Sequence, residues 1–247
     1  MGRFASTVAY YESARAPYGA AFFTAAAKKL ELDRSQRLLD VGAGPGILAI
    51  GFKPYCREVV GVDPEPGMVE AARAAADRTD VAIIFIAGRF EDVAANLGAF
   101  DLVTVGRAIH WLDPVPARAA LDRAVAPRGR ILVCAASSVR DGRNRWLDAF
   151  NAVRDRLRDD RPAHDLHAFF AGGSFVRSAT IGVEGTYAVP LERFADRLLS
   201  MSTSSPERLG DKVPAMKDAM REALAPFAVG GMIEDVVEAR AEVFERA

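Results

Sequence analysis

The chain has 247 residues, of which 50% are hydrophobic and 26% are charged, a composition that is globular and excludes a disordered chain. Its 32 basic and 33 acidic residues leave a formal net charge of −1, so no overall positive field would attract nucleic acid or an anionic membrane. Because no apolar run is long enough for a membrane span and the N-terminus lacks a secretory pattern, we expect a soluble cytoplasmic protein.

The first half of the chain alternates short apolar runs with helical patterns. It begins with helical spacing over residues 4–32, which Pro17 and Gly19 divide in two. Five buried strands are then predicted, at residues 37–41, 59–63, 81–86, 100–105 and 130–135. Helices are predicted between them, at residues 47–52, 64–76 and 115–126. Strands that alternate with helices in this way form parallel βαβ units.

The rhythm changes after Ala136. Residues 143–170 are predicted to be helical and charged, and a strand at 186–189 is followed by helices at 191–201 and 206–227. Alternating apolar residues favour a final strand over 233–244, with a helix as the alternative. The complete pattern predicts an α/β fold with a doubly wound, mostly parallel, seven-stranded Rossmann-like sheet and a helical lid.

This organisation divides the chain into four segments. Residues 1–29 are expected to form an N-terminal helical lid, and residues 30–136 the α/β core. Residues 137–229 are expected to form a helical insertion that caps the substrate and contributes one core strand. Residues 230–247 then supply the final strand of the core sheet.

A glycine-rich loop follows the first predicted strand and opens a helix. Its pattern is D-x-G-x-G-x-G, from Asp40 to Gly46. Glycines at such a position let the backbone approach a ligand closely, and the two main ligands of such loops are dinucleotides and S-adenosylmethionine (SAM). The dinucleotide fingerprint G-x-G-x-x-G would require glycine at position 47, which is Ile47.

Asp63 ends the second predicted strand, 19 residues after Gly44. A carboxylate at that place can accept hydrogen bonds from both hydroxyls of a ribose. It can also cap the helix that begins after Pro64, since Asp favours helix N-caps, and both roles are compatible.

The loop and its surroundings resemble class I SAM-dependent methyltransferases of type 11, a group that includes small-molecule enzymes similar to trans-aconitate methyltransferase. The resemblance rests on the glycine loop, on residues 63–72, and on the segment from Phe100 to Trp111, and it covers about residues 4–136. It implies SAM as the cofactor, with S-adenosylhomocysteine (SAH) as its product. The implied cofactor residues are Asp40, Gly42, Ala43, Gly44, Gly46, Asp63, Pro64, Met68, Phe90, Glu91 and Arg107.

Adenine recognition departs from the family pattern. Many members carry an Asp in the loop after the third strand, and here that position is Arg89, which cannot accept a hydrogen bond. Adenine would then be bound by the backbone at Phe90 or Glu91, or by the Glu91 carboxylate. Met68 is expected to pack on adenine or to be an ordinary core methionine.

Candidate acceptor-binding residues follow the fourth strand and precede the core. His110 is the candidate general base, with a structural or cofactor-contacting role as the alternative. Arg107 is expected to pair with a carboxylate of SAM or the substrate, or to be solvated. The remaining candidates for lid or substrate-contacting positions are Tyr11, Arg15, Tyr18 and Trp111, with core packing as the alternative for the three aromatic residues.

The sequence thus predicts an enzyme that transfers a methyl group from SAM to an O or N atom of a small molecule. A SAM-binding protein without catalysis and a dinucleotide-dependent oxidoreductase are the alternatives. Neither a metal site nor contact with nucleic acid or membrane is predicted, because Cys56 and Cys134 match no zinc spacing and the basic run at 140–161 is interleaved with Asp. The pattern specifies no oligomeric state.

Overall fold

The computed structural model describes residue 10 and residues 14–157, 165–201 and 203–247. Over those ranges the chain forms a seven-stranded mixed sheet with the order β3-β2-β1-β4-β5-β7-β6. The predicted seven-stranded Rossmann-like α/β fold is confirmed. The strands are β1 (Arg37–Val41), β2 (Glu58–Asp63), β3 (Ile84–Ala87), β4 (Phe100–Gly106), β5 (Val125–Ser138), β6 (Phe175–Pro190) and β7 (Met232–Arg246).

Helices connect the strands of the first half and make up much of the second half. The α-helices are α1 (Gly19–Lys29), α2 (Ile47–Phe52), α3 (Pro66–Arg78), α4 (Phe90–Val93), α5 (Pro114–Ala124), α6 (Leu147–Asp155), α7 (Leu166–Phe170), α8 (Glu192–Leu199), α9 (Pro206–Leu209) and α10 (Val213–Leu224). Short 3₁₀ turns occur at Lys53–Tyr55, Ala94–Asn96, Ile109–Trp111, Gly210–Lys212 and Ala225–Phe227.

The first five strands run parallel, with β1 in the middle. β1 pairs with β2 on one side and with β4 on the other, and β3 and β5 continue the sheet outward. The apolar run of β1 is buried on both faces, and Leu38, Leu39 and Val41 have no exposed surface. The carboxyl ends of these strands therefore meet along one edge of the sheet, hereafter the carboxyl edge, where open α/β sheets bind ligands.

The second half departs more from the sequence-based expectations. β6 has 16 residues, whereas a strand was predicted only at 186–189. In the predicted helical stretch 143–170, the described residues form α6 and α7. β7 is a strand, which the sequence favoured over a helix. Two hydrogen bonds at opposite ends show that it runs antiparallel to β6: Ala247 N–H donates to Ser174 O, and Leu191 N–H donates to Gly231 O.

The chain forms two compact units. The glycine-loop unit comprises Tyr18–Ala135, Ala163–Val183 and Arg240–Ala247, and the N-terminal unit comprises Met1–Pro17, Ala136–Pro162 and Glu184–Ala239. Each has its own hydrophobic core. The core of the glycine-loop unit includes the buried faces of β1, β4 and α5, and that of the N-terminal unit includes Trp146, Phe194 and Met220.

Helix α1 lies in the glycine-loop unit, although the domain prediction assigned it to an N-terminal lid. Its Phe22 and Ala26 have no exposed surface, and Phe23 packs edge-on against Phe52 of α2. The helical lid is not confirmed. Within the described ranges, no helix is both long and apolar enough to cross a bilayer, and no cluster of three or more His, Cys, Asp or Glu side chains is arranged to hold a metal ion.

Candidate cofactor and methyl-transfer site

The glycine loop between β1 and α2 turns back on itself through three left-handed residues. Gly42, Gly44 and Gly46 have φ angles of 65°, 54° and 83°, which side chains rarely adopt. The N–H groups of Gly42 and Ala43 both donate to Val62 O, at 2.9 and 3.0 Å. These hydrogen bonds connect the loop to the end of β2, so contacts with the sheet help to fix the backbone conformation of the loop.

Two of these glycines also occupy places where a side chain has no room. A Cβ at Gly42 would lie 2.5 Å from the Cβ of Ala108, in the segment that follows β4. A Cβ at Gly46 would lie 3.0 Å from the ring of Phe85 on β3. Left-handed angles and these close neighbours together require glycine, so the path of the loop at the carboxyl edge depends on these residues.

Asp63 links the ends of β1 and β2. One carboxylate oxygen accepts the Gly44 N–H at 2.8 Å, and the other accepts the Glu65 N–H at 2.9 Å. Burial raises the pKa of Asp63, although these two backbone bonds oppose the shift. The side chain thus holds the glycine loop and begins the turn into α3, where Pro64 is exposed.

Asp40 lies beneath the loop, and 1% of its surface is exposed. Thr104 Oγ1 donates to one carboxylate oxygen at 2.7 Å, and the N–H of Ala49 on α2 donates to the other at 3.2 Å. Burial raises the pKa of Asp40 to about 7, and these two hydrogen bonds act in the opposite direction. Asp40 therefore fastens β1 to β4 and to the first turns of α2.

The predicted adenine-contacting residues differ in exposure. Met68 and Phe90 are 4% and 3% exposed, and Phe90 belongs to the core of the glycine-loop unit. The Glu91 side chain is 10% exposed and lies 3.6 Å from the guanidinium of Arg89, which is 61% exposed. Glu91, the carboxylate expected to bind adenine in place of the family's Asp, is thus close to Arg89, which occupies the position of that Asp.

The segment after β4 brings the candidate acceptor residues to the same edge. Arg107 is half-buried and left-handed, with φ 55°, and its N–H donates to Cys134 O at 3.0 Å. His110 and Trp111 follow in a 3₁₀ turn, and both are exposed. Their ring centroids are 4.9 Å apart.

The described candidate lid residues belong to different units. Tyr11 lies outside the described residues. Tyr18 belongs to the glycine-loop unit, is 4% exposed, and packs against Phe22 with ring centroids 5.3 Å apart. Arg15 belongs to the N-terminal unit, where it donates to Ser200 O at 2.7 Å.

Comparison with known proteins identifies the α/β core. A family model described as a methyltransferase domain of type 11 matches residues 39–133. Residues 39–133 are thus similar to the methyltransferase domain of type 11. An uncharacterized methyltransferase of Mycobacterium bovis, Mb3374, is 33% identical to the chain over 132 residues, which are 53% of this chain and 51% of that protein. The chain thus spans about half the length of the curated relatives it matches.

Solved methyltransferase structures share the fold over nearly the whole chain. A candidate type II methyltransferase from Anaeromyxobacter dehalogenans is similar with a TM-score of 0.62 and 18% identity, over 94% of this chain and 97% of that one. A SAM-dependent methyltransferase from Thiobacillus denitrificans, solved in complex with SAH, is similar with a TM-score of 0.58 and 15% identity, over 100% and 99% of the two chains. At these identities the likeness concerns the fold.

SAM is the cofactor of the type 11 methyltransferases. The residues present fit it, because a loop whose left-handed path requires glycine lies beside the carboxylate of Asp63 at the end of the neighbouring strand. Sequence reasoning missed two supports of this methyltransferase loop, Thr104 and Ala108. Thr104 could have been found from the sequence, since it is a polar residue within the apolar run of β4, and in the sheet it pairs with Asp40 on the neighbouring parallel strand. Ala108 could not, because its closeness to Gly42 exists only in the folded chain.

Proposed function

We propose that this protein is a SAM-dependent methyltransferase that acts on an O or N atom of a small-molecule acceptor. The observation that carries the proposal is the glycine loop: three left-handed glycines, closed in by Ala108 and Phe85, with the Gly44 N–H bonded to Asp63. This arrangement places a loop that requires glycine beside a carboxylate at the end of the neighbouring strand, which suits the amino-acid part and the ribose of SAM respectively.

In this proposal the loop from Gly42 to Gly46, including Ala43, binds the methionine part of SAM. Asp63 accepts the ribose hydroxyls through the lone pairs that Gly44 and Glu65 leave available, since each carboxylate oxygen can accept two bonds. Pro64 lines the ribose side, and Glu91 with the backbone at Phe90 recognises adenine. Met68 and Phe90 support this side from the core, as their burial indicates.

Asp40 acts in a different way from the other proposed cofactor residues. Because both of its oxygens accept hydrogen bonds from within the protein and 1% of its surface is exposed, it positions the loop and α2 rather than touching SAM. The proposal therefore treats Asp40 as a positioning residue.

SAM supplies a methyl group on a sulfonium: the acceptor lone pair forms the new bond to carbon, and the electrons of the broken C–S bond stay on sulfur. The protein's task is to align acceptor and methyl group and to exclude water. His110, exposed after β4, takes the proton from a hydroxyl or ammonium acceptor, and Trp111 beside it offers a ring on which the acceptor can pack.

Calorimetric titration of the purified chain with SAM and SAH tests the proposal. We expect both to bind with micromolar dissociation constants. If a well-folded chain binds neither, the proposed function is wrong. If it binds both but methylates none of a panel of small acids, phenols and amines, the non-catalytic alternative is favoured, whereas stabilisation by nicotinamide dinucleotides alone would favour the oxidoreductase.

Two glycine variants separate the loop from general backbone strain. Gly42→Ala is expected to weaken SAH binding by at least about tenfold, because a Cβ there meets Ala108. Gly172→Ala is the matched control, since Gly172 also has a left-handed φ, of 68°, but no atom within 4 Å of its Cβ position. Equal effects of the two substitutions on SAH binding would contradict a role for the loop.

Asp63 and His110 are tested separately. Asp63→Ala is expected to weaken SAM binding, because the variant lacks the carboxylate proposed to accept the ribose hydroxyls. If this variant binds SAM as tightly as the parent, Asp63 does not bind the ribose.

His110→Ala is expected to lower kcat by roughly 10²–10⁴-fold with a hydroxyl or amine acceptor, while SAH binding is unchanged. His167→Ala, an exposed histidine on α7, is the matched control and should leave kcat unchanged. Unchanged turnover of His110→Ala would end its proposed role as a base.

A further inference from the structure

Arg107 has a backbone conformation that its side chain disfavours. Four non-glycine residues in the described ranges have positive φ: Glu31, Arg34, Asp80 and Arg107. The first three lie in turns that lead into β1 and β3, whereas Arg107 follows β4 at the carboxyl edge. Strained residues concentrate at functional sites, so this position warrants a functional explanation.

The surroundings of Arg107 hold both its backbone and its side chain. The backbone N–H donates to Cys134 O, and the Cβ of the next residue, Ala108, lies where a Cβ of Gly42 would be, with 2.5 Å between them. The guanidinium lies over the ring of the buried Tyr18, 5.0 Å from its centroid. Cation–π attraction to this ring helps to hold the guanidinium in place.

The strand order places Arg107 on the acceptor side of the site. The sheet runs β2-β1-β4, so Asp63 at the end of β2 and Arg107 just after β4 lie on opposite sides of the glycine loop after β1. A cofactor with its ribose at β2 and its methionine part at the loop therefore reaches toward β4. Arg107 is in the same post-β4 segment as His110, the proposed base.

We propose that Arg107 binds a carboxylate of the acceptor, so that the substrate is a small acid that carries its methyl-accepting hydroxyl or amine on the same molecule. This inference rests on the proposed function. A guanidinium pairs with a carboxylate through two parallel N–H···O bonds, which fix both position and orientation. With the carboxylate held by Arg107, the far end of a small hydroxy or amino acid extends toward His110.

Binding of acid and amide pairs tests the proposal directly. Hydroxybenzoic acids and short aliphatic hydroxy and amino acids, each with its primary amide, are titrated into the chain with and without saturating SAH. The parent is expected to bind at least one acid at least about tenfold more tightly than its neutral amide. The proposal is overturned if the parent binds no acid, or binds acids and amides equally.

Arg107→Asn removes the guanidinium and keeps a residue type that tolerates left-handed φ. It is expected to lose the preference for acids while its melting temperature and SAH affinity stay near those of the parent. Arg34→Asn is the matched control, because Arg34 is also a left-handed arginine, φ 71°, in the turn before β1. It should keep the preference for acids. An Arg107→Asn protein that retains the preference overturns the proposal.

A cofactor arm distinguishes the acceptor carboxylate from that of SAM. SAH carries a carboxylate, and 5′-methylthioadenosine lacks it. If Arg107→Asn weakens SAH about tenfold or more but leaves 5′-methylthioadenosine unchanged, Arg107 serves the cofactor and the proposal is wrong. If the parent binds neither adenosine compound, the proposed function fails, while the comparison of acids and amides without SAH still decides whether Arg107 binds carboxylates.

Discussion

Asp40 is a buried carboxyl group whose protonation affects the stability of the glycine-loop unit. Burial raises its pKa to about 7, against the stabilising bonds from Thr104 and Ala49. Since the pKa is higher in the folded than in the unfolded chain, the folded state holds an extra proton between about pH 4 and 7. Asp40 therefore makes the folded state less stable as pH rises through that window.

Asp40→Asn removes this titration. The free energy of unfolding of the variant relative to the parent is expected to rise between about pH 4.5 and 7.5, by on the order of 1–4 kcal/mol. Urea denaturation at several pH values measures it. Asp33→Asn is the control with the opposite sign, because hydrogen bonds from Ser35 lower the pKa of the exposed Asp33. A difference for Asp40→Asn that does not change with pH would contradict the explanation.

At the scale of elements, β1, β2, β4 and β5 were predictable because strands buried on both faces are apolar throughout. Helix α5 was predictable because Pro127 and Gly129 follow its apolar pattern. β6 was not, since Phe175 and Ile181 are the only buried residues among its 16 and its other inward positions include Ala179 and Gly185. Within the site, the glycine loop and Asp63 could be predicted from their spacing in the sequence. The left-handed backbone of Arg107 could not, because arginine is not a residue type that favours positive φ.

The packing of α1 on α2 depends on Gly51. A Cβ at Gly51 would overlap the ring of Phe23, which itself packs edge-on against Phe52, 5.1 Å between centroids. In an exposed helix, Gly→Ala would stabilise the chain by about 1 kcal/mol. We expect Gly51→Ala to destabilise it by about 1–3 kcal/mol instead, because the added methyl group overpacks the contact between the helices.

Urea denaturation of Gly51→Ala, Phe23→Leu and the double variant measures this contact. Phe23→Leu makes room at the ring position, so the double variant should lose less stability than the two single losses combined. The matched control is Gly67→Ala, since Gly67 is an exposed helical glycine on α3 in the same unit, and this change should not destabilise the chain. Additive losses, or a Gly51→Ala chain more stable than the parent, would show that α1 and α2 do not meet as described.

At the scale of the whole chain, the N-terminal unit is assembled from three separate segments, and local sequence patterns do not reveal which segments belong together. Two arginines join them inside the unit. Arg197 on α8 donates to Ala14 O at 2.9 Å and to Ser138 Oγ at 3.3 Å. Arg15 donates to Ser200 O at 2.7 Å. In the sequence, Arg197 resembles any charged residue of an amphipathic helix, yet its side chain is 8% exposed.

Arg197 also forms a buried ion pair with Asp235, and we expect this pair to contribute strongly to the stability of the N-terminal unit. Its guanidinium lies 2.9 Å from the fully buried carboxylate of Asp235 and 4.8 Å from the ring centroid of Phe194. Removing one member leaves the other charge buried without compensation. Arg197→Met and Asp235→Leu are each expected to lower the free energy of unfolding by about 3–5 kcal/mol, and the double variant by much less than their sum.

The two tryptophans allow this loss to be observed in the unit concerned. Trp146 is buried in the N-terminal unit near Arg197, and Trp111 lies in the glycine-loop unit. In a Trp111→Phe background, fluorescence during urea unfolding therefore reports Trp146 alone. Arg143→Met is the control, since Arg143 forms exposed ion pairs with Asp141 and Glu184 in the same unit, which contribute under about 1 kcal/mol each. If Arg197→Met shifts the Trp146 transition no more than Arg143→Met does, the three segments are held together by apolar packing and not by the buried arginine.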